Sequence, residues 1–574
     1  MSDRQSETIK WVAALLNTMT KFESRAQIEE AVEAVWPAPG FREYQKESII
    51  AIVEALFLED YTGVALSAPT GAGKSLILYT VAKVLSYVKG EKTFSTTPLN
   101  TLIDQIENDD LLQDVVTLKG KNNYSCVHPM DRGTSVDDAI CQRMSGFNCE
   151  YKDKLPENGG CPYYGSKEKG KKSDVLVTNL SYLMTNAMIP SEHRFEDRRL
   201  LEIDEVQNVE NFALQFIGFS ISRNRIPINF DQLPPIPKES SSMDEMVSWL
   251  KQLLNIVRER VNHLTAQQTV TEQENDERKK LKRIMHRVIN FLGDQAEGKH
   301  WTKTHDDQKE KVSFEPVFVG RFIDKFLWNQ ADKVVLSSAT IPKGSFLEEI
   351  GLDPSDIKRI EVPSTFPVEN RPVITDYVGK MTKSERRQTL PKVAEKIGEI
   401  ANYHRGEQGF VHCNSYDVME KIYNLLPRDI KRRTTVQDSD NREESLEAWL
   451  DNNNQIFLSV AMDEGISLDG DAARWQVVAK ASYPFVGDER VSYRLNELND
   501  WDWYNGAAAI NLQQAVGRGV RSKDDECVTY LLDSSFKNLL NRNKKLFEGW
   551  FIDSINCRTH LDVMRPESKF SLSA

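Results

Sequence analysis

The chain has 574 residues, 40% hydrophobic and 28% charged, the balance of a globular protein with roughly three to four domains. No apolar run approaches the length of a membrane span, and MSDRQSETIK lacks the basic-then-apolar order of a signal peptide. A net charge of −13 argues against coating nucleic acid by bulk charge, though not against a local basic groove.

Residues 1–40 read as amphipathic helix stopped by WPAPG and packed on the domain that follows. The strongest local signal is GVALSAPTGAGKSLILYTVAKVL, from Gly63. Val64–Ser67 reads as a short buried strand. Ala68-Pro69-Thr70-Gly71-Ala72-Gly73 is a small-residue turn, and Lys74-Ser75 open an apolar helix. This strand–loop–helix order suits a phosphate loop built from Thr70, Gly71, Ala72, Gly73, Lys74 and Ser75. Glycines let backbone N–H groups approach the phosphates, and the helix N-terminus adds positive potential. Lys74 is expected to neutralise phosphate charge and Ser75 to ligate magnesium. The strict pattern has Gly where Ala68 stands, so the loop is a variant.

Four of the seven cysteines (Cys126, Cys141, Cys149 and Cys161) lie between Asn123 and Gly165. An intracellular chain keeps its thiols reduced, and the segment is too polar for four core thiols. Zinc is open, with His128 as a further ligand, but the gaps of 14, 7 and 11 residues exceed the close pairs usual for zinc. Four thiolates also suit an iron–sulfur cluster, and spacing does not choose between the metals. Basic residues from Lys119 to Lys172 interleave with Tyr124, Phe147, Tyr151, Tyr163 and Tyr164, a composition that suits single-stranded nucleic acid or packing around a cluster.

In RRLLEIDEVQNVE, Leu200–Ile203 reads as a strand ending at Asp204-Glu205. Asp204 is placed to hold magnesium through water, and Glu205 to polarise an attacking water. Glu202 is a charge inside that strand with no evident role. Between Val209 and Lys311, Met243, Met246, Leu250, Leu253, Val257 and Val261 recur at helical steps, as do Leu281, Ile284, Met285, Val288 and Leu292. The spacing predicts a long helical hairpin.

After Arg371, ITDYV, GFVHC, IFLSV, WQVVAKA and VTYLLD read as strands alternating with helices, the rhythm of a second parallel sheet. Near the end, Gln514, Arg518 and Arg521 fall at i, i+4 and i+7 of a predicted helix, on one face. Two arginines on a separate domain suit charge completion across a cleft. Cys413, Cys527 and Cys557 sit in or near apolar segments and read as buried structural thiols.

This ordered set resembles superfamily 2 helicases, specifically the XPD/DinG-like branch with an iron–sulfur domain. FREYQKE looks like the adenine-reading element, with Gln45 its contact. APTGAGKS resembles motif I, STTPLNTLIDQ motif Ia, DEVQ motif II and VVLSSATI motif III. FVHCNSY, SVAMDEGISLDG and QQAVGRGVR resemble motifs IV, V and VI. Two positions depart from the pattern. Gln207 replaces the usual histidine, and Ser467 follows Glu464-Gly465-Ile466 where an aspartate is usual.

The resemblance implies an α/β fold with two RecA-like parallel-sheet motor domains, and two inserts in the first. Residues 41–120, 172–208 and 312–362 form motor domain 1, and 363–574 form motor domain 2. The inserts are an iron–sulfur domain at 121–171 and a helical arch at 209–311. ATP, magnesium and a 4Fe-4S cluster are the implied cofactors, with Gly465 and Gln514 added to the nucleotide site and the four insert cysteines as cluster ligands. The implied activity is an ATP-dependent DNA helicase running 5′-to-3′ on single-stranded DNA and opening forked duplexes. Such a protein is expected to act as a monomer away from membranes, in the cytoplasm or nucleoid, or in the nucleus of a eukaryote. Two other readings are a translocase that remodels complexes without unwinding, and a zinc-stabilised nucleic-acid-binding scaffold.

Overall fold

Alternate residues of each central strand feed two separate cores, one on either face of a parallel sheet. The computed structural model describes residues 21–557, apart from 87–90, 113, 145, 192, 268–270, 439–440, 452–454 and 461–469. Strands β1 (Gly63–Ser67), β2 (Thr93–Thr97), β3 (Val116–Leu118), β4 (Val175–Asn179) and β5 (Arg198–Asp204) come first. An insertion supplies β6 (Phe219–Ser222), β7 (Trp301–Asp306) and β8 (Lys311–Pro316), before β9 (Ala331–Ser338) and β10 (Ile357–Glu361). The first sheet runs β10-β1-β9-β5-β2-β4-β3, with every pairing parallel. Val64, Leu66, Leu200 and Val335 pack on one face, and Ala65, Leu201, Ile203, Val334 and Leu336 on the other. Burial on both faces is why these strands read as continuous apolar runs. The helix Arg25–Val35 is capped by Ser24 and buries Ile28, Ala31 and Val32 in the first of these cores.

The second sheet uses β11 (Val373–Gly379), β12 (Gly409–His412), β13 (Thr434–Val436), β14 (Ile456–Ser459), β15 (Trp475–Val478) and β16 (Val528–Asp533). Its order is β11-β16-β15-β12-β14-β13, again all parallel. Both motor domains are therefore doubly covered parallel sheets, as the alternating pattern predicts. The motif V segment, with Gly465 and Ser467, lies outside the described residues.

The helical hairpin forms from Met243–Ala266 and Glu272–Ala296, and each helix starts with a capping box, Ser242/Glu245 and Thr271/Glu274. Arg260 clamps Glu277 across the pair at 2.5 and 2.9 Å. The structure adds what periodicity did not predict: an antiparallel sheet, β6-β8-β7, under the hairpin. Leu250, Leu253, Val257 and Phe291 pack there against Phe219, Val312 and Phe314. Residues 312–316, expected in motor domain 1, pair instead with this sheet. The strand alternates Val312 and Phe314 inward with polar residues outward, the mark of a half-covered antiparallel sheet. Among the described residues no helix is long and apolar enough to cross a membrane.

The two motors meet at a buried charge cluster. Arg494 of motor domain 2 is fully buried. Its guanidinium donates to both oxygens of Glu349 in motor domain 1, at 2.8 and 2.5 Å, and to Asp500 at 2.9 Å. It lies 4.1 Å from the centre of the Trp503 ring. Arg490 bonds Glu210 and the Val317 carbonyl, while the Trp503 indole N–H donates to Glu210 at 3.2 Å. Removing one partner of a buried ion pair costs about 3–5 kcal/mol, because the other charge stays buried and unpaired. Arg494→Met is therefore expected to lower the calorimetric melting temperature by several degrees. Arg494→Met/Glu349→Leu, which removes both charges, should melt higher than the single variant.

Candidate active site

The phosphate loop leaves β1 and turns at two left-handed glycines, Gly71 (φ 82°) and Gly73 (φ 76°). Neither position has room for a side chain. A Cβ on Gly71 would meet the Phe366 ring at 2.1 Å, and one on Gly73 the Gln45 amide at 2.3 Å. Ala68 needs no such freedom. It has an ordinary φ, its methyl is fully buried, and its N–H donates to Ser338 O at 2.9 Å. This explains why Ala stands where the strict pattern has Gly. Lys74 Nζ donates back to Ala68 O at 3.3 Å, so the loop closes on its own lysine.

Gln45 does not line the cleft. It is buried behind the loop, where Oε1 accepts from Arg42 N at 2.7 Å and Nε2 donates to Ala72 O at 3.1 Å. Arg42 donates to Gly71 O at 2.8 Å. The predicted adenine-reading element thus braces the phosphate loop from behind.

At the end of β5, Asp204 shares a small buried space of about 40 Å³ with Ser75 and Glu202. The Glu202 carboxyl is pushed well above the ordinary carboxylate range by burial, and the Asp204 charge adds to the shift. Glu202 sits opposite Ser95 across the sheet. Burial thus favours its protonated form. Glu205 takes a left-handed backbone conformation (φ 53°), costly for a non-glycine residue and characteristic of functional turns. That turn aims its carboxylate into the cleft. Gln207 Nε2 donates to Glu205 Oε2 at 2.5 Å, and Ser338 Oγ, from the motif III strand, approaches the same oxygen at 3.5 Å. Gln207 therefore ties the acidic box together with its amide.

Motor domain 2 supplies the other wall, with one correction. The helix Trp501–Val516 ends before Arg518, so Gln514, Arg518 and Arg521 do not share a helical face. Arg518 and Arg521 stand on the loop beyond it. Asp525 secures this loop by accepting from Arg521 N and Ser522 N at 2.8 and 2.7 Å. The convergence survives the change of element. One cavity of about 350 Å³ is lined by Thr70, Lys74 and Glu205 from motor domain 1 and by Gln514, Arg518 and Arg521 from motor domain 2.

Pro98, Leu99 and Leu102, from the segment that resembles motif Ia, also face this cavity. So do Thr340, Phe366, Arg371 and Trp550, none of which the sequence pointed to as site residues. Their signal was weak: Phe366 and Arg371 lie in a proline-rich connection without periodicity, and Trp550 in an ordinary amphipathic helix.

The cysteine insert is built from short turns. Cys126, Cys149 and Cys161 are buried, and Cys141 is half-buried on the short helix Ile140–Arg143. Burial pushes the Cys126 and Cys161 thiols up. Cys126 and Cys161 belong to one hydrophobic core cluster, and Cys141 packs against it. His128 accepts from Met130 N through Nδ1 at 3.3 Å. Among the described residues no three His, Cys, Asp or Glu side chains are drawn together tightly enough for a single ion.

The insert's aromatics pack inward rather than forming an open stacking surface. Tyr163 is 3% exposed and its hydroxyl bonds Tyr182 at 3.0 Å, with Tyr124 and Tyr164 against its ring. Several of the basic residues are paired with acids, as in Arg143–Asp131 and Lys169–Glu157. Lys279 of the hairpin donates to Asp137 O at 2.6 Å and to Asp138 at 3.3 Å, joining the two inserts.

Residues 149–226 match the DEAD_2 family, and residues 398–554 the helicase C-terminal domain family. The ATP-dependent DNA helicase XPD of Sulfolobus acidocaldarius is 22% identical over 581 residues, covering 88% of this chain and 99% of that protein. A solved XPD helicase superposes with a TM-score of 0.60 at 17% identity, over 91% of this chain and 100% of that one. Xpd4 of S. tokodaii gives 0.55 at 17% identity, over 89% and 99%.

One buried histidine supports the arginine loop from below. His412 Nε2 meets Gln476 Oε1 at 3.1 Å, and Gln476 Nε2 donates to Val516 O at 3.0 Å, two residues before Arg518. Burial lowers its pKa from 6.5 to about 4, and Arg518 adds to the shift. The unfolded chain takes up this proton near pH 6.5, the folded chain only near 4. Stability is therefore full above pH 6.5 and falls as pH drops toward 4, by up to about 3 kcal/mol. Urea titrations between pH 7 and 4.5 are expected to show this slope, and His412→Gln should flatten it.

Proposed function

We propose that this chain, which belongs to the XPD-like helicases of superfamily 2 and is an ATP-dependent DNA helicase, travels 5′-to-3′ on single-stranded DNA and opens forked duplexes. The single observation that carries the ATPase reading is the shared cavity, with Lys74 and Glu205 on one motor and Arg518 and Arg521 on the other.

The roles follow from charge and reach. On ATP binding, Lys74 leaves the Ala68 carbonyl for the phosphates. Ser75 and Asp204 line one small space and would hold magnesium, which would supply charge neutralisation at the phosphates. Glu205, steadied by Gln207, orients the attacking water and accepts its proton. Arg518 and Arg521 reach the γ-phosphate when the cleft closes and stabilise the charge that develops as the bond breaks. After hydrolysis that attraction fades and the motors separate. Alternating closure and opening moves the strand, and the arch and cysteine insert, joined through Lys279, enclose it.

Cys126, Cys141, Cys149 and Cys161 would hold an iron–sulfur cluster. The reading rests on the resemblance and on the four cysteines falling in one insert, three of them buried. Its chemistry here is a rigid cross-link of four turns that have little core of their own.

Arg518→Ala is expected to cut DNA-stimulated ATP turnover by about 10³-fold, the lower end for a charge-completing arginine. Loss of less than tenfold would remove Arg518 from the transition state. Anaerobic purification with metal analysis is expected to find about four irons per chain, lost in each of the four Cys→Ser variants. Zinc without iron would overturn the cluster. Duplexes with a 5′ tail should be unwound in preference to those with a 3′ tail. ATPase activity without strand separation would leave a translocase instead.

A further inference from the structure

The connection between the motors begins on one and ends on the other. Val362 N donates to Ser67 O at the end of β1, at 2.8 Å. Eight residues on, Asn370 O accepts from Cys527 N at 2.8 Å, and Asn370 Nδ2 donates to Lys523 O at 3.0 Å, both in motor domain 2. Phe366 lies between these anchors. Its carbonyl accepts from Arg371 Nε at 3.4 Å, and Arg371 donates in turn to Trp550 O and Ser554 Oγ. Phe366 is thus fastened to motor domain 2.

Its ring, however, lies on motor domain 1. A Cβ on Gly71 would meet Phe366 Cζ at 2.1 Å and Cε1 at 2.8 Å, so the ring rests on the bare backbone of the phosphate loop. The same ring packs with Val520 and Cys527 in a small buried cluster, and is itself 8% exposed. Val520 stands between Arg518 and Arg521. One ring therefore touches the loop that takes the phosphates and the loop that carries the arginines.

We propose that Phe366 is a positioning residue that passes nucleotide occupancy of the phosphate loop to the arginine loop. Lys74 is held on the Ala68 carbonyl, and when it turns to a bound phosphate the loop shifts beneath the Phe366 ring at left-handed Gly71. A close-packed contact does not absorb such a change by compression. The ring moves with the loop and displaces Val520, and with it the flanking arginines. Cutting the ring away lets the arginine loop drift from its closed position. This inference rests on the cleft being the ATPase site, which wild-type turnover tests independently.

The test is steady-state ATPase kinetics with and without single-stranded DNA on Phe366→Ala, Phe366→Leu, Val520→Ala and the double alanine variant, with circular dichroism to verify folding. Phe366→Ala is expected to lower DNA-stimulated kcat about tenfold with ATP KM changed less than about twofold. Phe366→Leu, which refills most of the volume, should recover most of the turnover. Val520→Ala should share the pattern, and the double variant should be no worse than Phe366→Ala, as for two residues in one contact. A raised KM with unchanged kcat would make Phe366 a direct nucleotide contact and overturn the proposal. So would a Leu variant as poor as Ala, or losses that multiply in the double variant. If Phe366→Ala does not fold, Val520→Ala decides alone, and unchanged kcat there overturns the proposal.

Discussion

Two buried guanidinium groups set the geometry on which the cleft depends. Arg494 projects from motor domain 2 onto Glu349 of motor domain 1, and Arg490 onto Glu210 at the start of the arch insert, both away from solvent. A buried charge left without its partner is costly, so the two motors have one well-defined way to meet. That orientation brings Arg518 and Arg521 opposite Lys74 across a shared cavity. Glu210, which pairs with Arg490, lies six residues beyond Asp204, so the latch and the acidic box are carried by one short stretch of chain.

The cleft collects groups that a stability-minded fold would avoid. Glu205 holds a left-handed backbone, Glu202 is a carboxyl buried inside a sheet with its pKa pushed up, and His412 is a buried imidazole with its pKa pushed down. Each is disfavoured alone and is held by the surrounding parallel sheets. The ends of β1, β5 and β9 deliver the phosphate loop, the acidic box and Ser338 to one edge, where backbone groups are left over for binding. This is the usual place for a ligand in a parallel sheet, outside the carboxyl ends of its strands.

The inserts are supported differently. The arch has its own core, where the helical hairpin lies on three antiparallel strands. The cysteine insert borrows the motor's core: Cys126, Val136, Ala139, Cys161 and Tyr163 pack continuously with Leu176 and Leu180. Its aromatics were legible as a group but not as an interior. Composition alone does not say whether a tyrosine faces a ligand or a neighbouring ring, and Tyr163 turned inward to Tyr182.

Sequence by itself determined the local chemistry. The phosphate loop, the acidic box, the hairpin periodicity and the strand rhythm of both motors each depend on residues close together in the chain. Hydrogen bonding and side-chain period act over that same short range, so these features are readable. Tertiary structure alone decided what depends on distant partners. It ended the last helix at Val516 and put Arg518 and Arg521 on a loop held by Asp525. It turned Gln45 into a brace, buried the Glu202 carboxyl, and pressed Phe366 onto Gly71. None of these is encoded within a few residues. Each follows from burial against an element far away in the chain, and burial exists only once the sheets have formed.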